Sequence, residues 1–118
     1  MQLKLTTRTI DSVLVVDCNG RIVFGEESAS LRDSVKKLLP EHKNLVLNLG
    51  GVNYIDSGGL GTLVALFTTA RNNGGNIKLA KLTQRVGDLL QVTKLLTVFE
   101  TYDSEEKAVQ AFRTDAAA

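Results

Sequence analysis

The chain has 118 residues, 43% of them hydrophobic and 23% charged, with a formal net charge of +1 at pH 7. That length suits one domain whose core needs neither disulfides nor metal, because folding at this size buries roughly two-thirds of the unfolded surface. The near-neutral charge argues against bulk electrostatic attraction to nucleic acid or anionic membrane, and a single cysteine, Cys18, excludes an internal disulfide and a cysteine-rich zinc site.

No apolar run is long enough to span a bilayer, and Met1-Gln2-Leu3-Lys4-Leu5-Thr6 lacks the apolar centre of a signal peptide. The expectation is a cytoplasmic protein with no membrane insertion and no direct nucleic-acid contact.

Leu3, Leu5, Thr7 and Thr9 alternate with Lys4, Thr6 and Arg8, the period of a strand. Ile10-Asp11-Ser12 reads as a turn, and 13–18 as a second, more continuously apolar strand, so the two form a hairpin with the first strand at a sheet edge. Asn19-Gly20 predicts another turn, followed by a short extended piece over 21–24.

The spacing of Leu31, Val35, Leu38 and Leu39 predicts a helix over 26–39. Glu26 and Glu27 near its start and Lys36 and Lys37 near its end match the helix dipole, and Pro40 stops it. A buried strand is expected over 45–49. Leu60, Leu63, Val64, Phe67 and Ala70 then recur at helical spacing, predicting a helix over 57–73 that ends at Asn73-Gly74-Gly75-Asn76. Ile77, Leu79 and Ala80 mark a fourth strand. Thr83 caps a third helix carrying Val86, Leu89 and Leu90. A fifth strand is read over 98–102, and Asp103 or Ser104 caps a last helix with Ala108, Val109 and Phe112 inward. The fold class is α/β: one domain over 1–113 with a mixed, mostly parallel sheet flanked by about four helices. Residues 114–118 read as a flexible tail.

The chain is organised around Asn48-Leu-Gly-Gly-Val-Asn-Tyr-Ile-Asp56-Ser57-Gly58-Gly59-Leu60-Gly61, which joins the buried strand to the central helix. Ser57 falls at the N-cap or in the first turn, among unpaired backbone N–H groups. Gly58 and Gly59 leave its hydroxyl unshielded for a partner. Rival chemistries fit poorly. Neither a Gly-x-x-x-x-Gly-Lys-[Ser/Thr] nor a Gly-x-Gly-x-x-Gly motif is present for phosphate binding. A hydrolase elbow needs glycine where Ile55 stands, and the only histidine, His42, reads as a solvated loop residue. No ligand spacing suggests metal. Cys18 reads as a small buried residue, and Glu105-Glu106 as a solvated helix face.

Val52-Asn-Tyr-Ile-Asp56-Ser57-Gly58-Gly59-Leu60-Gly61-Thr-Leu63 resembles the signature of STAS domains, bacterial anti-sigma factor antagonists in particular. The similarity extends along most of the chain, through Gly20, the Gly74-Gly75 helix end and the C-terminal strand–helix. The resemblance implies no catalytic activity and no cofactor. It implies that Ser57 is phosphorylated by a partner anti-sigma factor with serine kinase activity. Unphosphorylated, such a protein captures the anti-sigma factor; phosphorylated, it is released until a serine phosphatase resets it. The expected binding face comprises Gly20, Arg21, Ile22, Val23 and Phe24 together with Asp56, Ser57, Gly58, Gly59 and Leu60. The chain departs from the family pattern at Val23 and Asn48, where acidic residues are common, and at Gly58, where some members have a second hydroxyl residue. An alternative within the same fold is a stand-alone scaffold subunit of a transport or other signalling complex, without phosphorylation.

Overall fold

The computed structural model describes residues 3–117, with side chains as far as residue 114. The elements run β1 (Lys4–Ile10), β2 (Val13–Ile22), α1 (Glu26–Leu38), β3 (Asn44–Ile55), α2 (Ser57–Asn72), β4 (Asn76–Ala80), α3 (Gln84–Val92), a 3-10 turn (Leu95–Thr97), β5 (Thr101–Tyr102) and α4 (Glu105–Ala117). They build one mixed sheet in the order β1-β2-β3-β4-β5, with β1 antiparallel to β2 and the remaining pairs parallel.

Strand alternation decides which helix each side chain meets. Leu14, Val16 and Cys18 of β2, Leu45, Leu47 and Leu49 of β3, and Ile77 and Leu79 of β4 point into a core closed by α1, α2 and α3. Their neighbours Val13, Val15, Val46 and Ala80 point the other way, where Ala108, Val109 and Phe112 of α4 cover them. Burial on both faces is why these strands read as unbroken apolar runs. Lys78 sits on the α4 face and is wholly buried. Its Nζ lies 2.9 Å from Glu100 and 4.8 Å from the centre of the Phe112 ring.

Several expectations change. The first turn narrows to Asp11 and Ser12, both at positive φ (50° and 69°), the geometry of a two-residue hairpin. Asn19-Gly20 does not turn the chain: β2 continues to Ile22, absorbing register shifts between Asp17 and Asn19 and between Gly20 and Arg21. The buried strand over 45–49 grows to Ile55, so most of the stretch before Asp56 is strand paired with the far end of β2. Leu66 joins Leu60, Leu63 and Ala70 in the core, while Val64 and Phe67 are only partly buried. The strand read over 98–102 shrinks to Thr101–Tyr102 behind the 3-10 turn. Ser104 caps α4, its Oγ accepting from the Lys107 N–H. The α4 backbone continues through 114–117, and residue 118 lies outside the described residues.

Candidate functional site

β2 and β3 end side by side, with Ile22 in register with Ile55, so the two loops that follow meet at one end of the sheet. Asp56 joins them. It is extended (φ −108°, ψ −177°) and is itself the N-cap of α2, its Oδ1 accepting from the Gly59 N–H at 2.8 Å. Both carboxylate oxygens also accept from the Phe24 N–H at 3.1 Å, and the Asp56 N–H donates to the Ile22 carbonyl at 3.3 Å. The Gly59, Phe24 and Gly58 N–H groups, with Gly59 foremost, hold the Asp56 carboxyl below the usual carboxylate range. Ser57 is therefore not the cap. It is the first residue of α2, exposed, and no hydrogen bond among the described residues engages its hydroxyl.

The two glycines after Ser57 have a tighter reason than openness to a partner. A Cβ at Gly59 would stand 1.9 Å from the Ile22 carbonyl oxygen, and one at Gly58 would stand 2.6 Å from the Phe24 Cβ. They let the α2 N-terminus press against the end of β2. The surface left open is a groove of about 450 Å3 between α1 and α2, with Phe24 at its mouth and Ser57, Gly61, Thr62, Ala29 and Arg32 along its walls. Phe24 is 82% exposed, far more than an apolar ring that only serves a core.

Both segments expected to form the binding face thus come together, but not every residue can offer its side chain. Ile22 is fully buried, Leu60 is 5% exposed and Gly59 is buried, so these position the site. Gly20 supplies the positive φ (125°) of the irregular β2 strand. Arg21 is half-buried opposite Tyr54, and its Nε is buried without a hydrogen-bond partner among the described residues. The Val23 carbonyl accepts from both the backbone N–H (3.1 Å) and the Oγ (2.7 Å) of Ser28, which fixes the entry to α1. Phe24, Ser57 and the half-buried Asp56 and Gly58 remain within reach of a partner. Ser28 and Arg32 escaped the sequence reading. A hydroxyl on the stripe Ser28, Leu31, Val35 was the available signal for the first.

A second polar cluster lies on the α4 face of the sheet. The Arg8 guanidinium contacts Asp17 at 2.7 and 2.9 Å and Glu105 at 2.8 Å twice, and Asn48 Nδ2 donates to Glu105 at 3.2 Å. Arg8 holds both carboxyls below their ordinary values. Glu105 is thus a clip between the hairpin and α4 rather than part of a solvated face, whereas Glu106 is exposed. Among the described residues no group of three or more His, Cys, Asp or Glu could hold a metal ion, and no helix is long and apolar enough to cross a membrane.

A STAS domain family model matches residues 4–108, and the chain belongs to that family. The anti-sigma-B factor antagonist of Bacillus subtilis is 32% identical over 80 residues, which cover 68% of this chain and 73% of that protein. Among solved structures, the Thermotoga maritima protein TM1081 superposes with a TM-score of 0.85 at 23% identity, covering 92% of this chain and 94% of that one. The anti-sigma factor antagonist SpoIIAA, in its unphosphorylated form, superposes with a TM-score of 0.78 at 15% identity, covering 94% and 97%. SpoIIAA has also been solved in a phosphorylated form. The structural likenesses establish a shared fold.

Proposed function

We propose that this protein is an anti-sigma factor antagonist that works in the cytoplasm by partner switching, with Ser57 as its phosphoacceptor. Its partner is an anti-sigma factor with serine kinase activity, and a serine phosphatase resets it. The observation that carries this reading is the placement of Ser57: exposed on the first turn of α2, beside an exposed Phe24, at the mouth of an open groove. The chain contributes an acceptor and a docking face; the catalytic groups belong to its partners.

In the transfer, the Ser57 Oγ bonds to the γ-phosphorus of ATP while the bond from that phosphorus to the bridging oxygen breaks. ADP leaves, and the hydroxyl proton passes to the kinase's base. The phosphate brings roughly −1.5 to −2 charges at neutral pH. The N-terminus of α2 accommodates an anion without rearrangement, so the fold persists. The same charge beside the Asp56 carboxylate spoils a docked interface through repulsion and desolvation.

The test is phosphorylation by the cognate kinase with ATP, read by intact-mass and peptide spectrometry, followed by binding titrations. One phosphate is expected, on Ser57. Ser57→Ala abolishes it and still binds the partner. Ser57→Asp keeps the fold and binds more weakly, though less so than true phosphoserine because it carries one charge. Modification elsewhere, or full-strength binding by Ser57→Asp, overturns the switch and leaves a constitutive scaffold.

A further inference from the structure

We propose that Arg32 is the counter-ion for phosphate on Ser57, and that the pair, once formed, bridges and closes the groove between α1 and α2. This rests on the reading of Ser57 as phosphoacceptor and adds the residue that receives the modification.

Ser57 and Arg32 line opposite sides of one groove. The rest of the lining is mostly small, with Ala29, Gly58, Gly61 and Ala65 beside Thr62, and the one large side chain, Phe24, is 82% exposed. α1 and α2 each follow one strand of the parallel β2–β3 pair, so both helices start at the same end of the sheet. Arg32 is six residues past Glu26, the first residue of α1. At about 1.5 Å per residue that places it roughly 9 Å down the helix. Helical side chains slant back toward the N-terminus, so a long arginine side chain returns toward the level of Ser57.

Arg32 is also available. Its ion pair is with the adjacent Asp33 at 3.4 Å, and the two side chains are 46% and 66% exposed, the kind of contact that contributes little. A phosphate offers three strong acceptor oxygens to a forked guanidinium, a shorter and stronger pairing. The need for a cation is local. Glu26 and Glu27 open α1 and Asp56 caps α2, so carboxylates already crowd the end of the molecule where the phosphate arrives. Arg32 is the only positively charged side chain among the groove-lining residues. Release of a partner then has two sources: repulsion at Ser57, and occlusion of the groove by the Arg32 side chain.

The experiment installs phosphoserine genetically at position 57, so that no kinase is needed, and titrates it by 31P NMR. The second ionisation of phosphoserine lies near 6 when unperturbed. It is expected about 0.5–1 unit lower in the otherwise unchanged protein than in Arg32→Ala, because a paired cation favours the dianion. Arg32→Lys restores part of the shift, and Arg71→Ala, at the far end of α2, leaves it unchanged. Equal values with and without Arg32, or the same shift lost in Arg71→Ala, overturn the pairing. Kinase treatment of the unmodified protein is a separate arm. Failure there removes Ser57 as natural acceptor and leaves the titration result standing on its own.

Discussion

Gly59→Ala and Gly61→Ala, two residues apart on one helix, are expected to change stability in opposite directions. A Cβ at Gly59 lies 1.9 Å from the Ile22 carbonyl oxygen, so about 1.5 Å of retreat is needed to reach the 3.4 Å where ordinary contact begins. The obstacle is backbone, not a flexible tip. The retreating carbonyl belongs to a fully buried residue and accepts the Asp56 N–H. Overpacking of this kind costs roughly 1–3 kcal/mol. Replacing a helical glycine by alanine returns about 1 kcal/mol. With so short a backbone contact the cost falls at the upper end, leaving a net loss of about 2 kcal/mol. A Cβ at Gly61 meets nothing within 4 Å, so only the propensity gain remains, about 0.5–1 kcal/mol. Urea unfolding reads both. With a slope of roughly 1–3 kcal/mol/M, the Gly59→Ala midpoint falls by about 1 M and the Gly61→Ala midpoint rises by a few tenths. Two variants moving in the same direction, or Gly59→Ala matching the parent, would refute the close approach of α2 to β2.

Leu63→Ala, at a side chain only 1% exposed in the main core, is expected to lose about 2–5 kcal/mol in the same assay; an unchanged midpoint would put Leu63 on the surface. Asp17 and Glu105 have depressed folded pKa values through Arg8. Their contribution to stability is therefore complete above the unfolded carboxylate values near 4 and is lost as pH falls below them. Thermal melts of Arg8→Met should accordingly show a shallower loss on acidification than the parent, and parallel acid limbs would show that the clip contributes nothing. Burial pushes the Cys18 thiol up to about 12, so a thiol reagent at pH 8 should leave the native protein unlabelled and react in full after denaturation; rapid native labelling would contradict the placement of Cys18 under α1–α3.

The α/β architecture was legible in the sequence because its signals are periodic and local. Residues 13–18 and 45–49 read as strands from their continuous apolar runs, and Leu60, Leu63, Val64, Phe67 and Ala70 read as one side of a helix, although Val64 and Phe67 prove only partly buried. Pro40, Thr83 and the pair Asp103-Ser104 marked helix ends for chemical reasons that act over three or four residues, and the structure chose Ser104 of that pair. Asp56-Ser57-Gly58-Gly59 marked the strand-to-helix junction, and with it the candidate site, for the same reason. What tertiary structure alone decided depends on partners remote along the chain. Asp56, rather than Ser57, caps α2 because its carboxylate also serves the Phe24 N–H, 32 residues away. Gly58 and Gly59 are needed because Phe24 and Ile22 press on them, which no local pattern reveals. Glu105 looked like half of a solvated Glu-Glu pair until Arg8, 97 residues earlier, met it across the sheet face. A residue's propensity and period are carried by its neighbours in sequence; the identity of its hydrogen-bond donor or its steric limit is set only when distant segments are brought into contact.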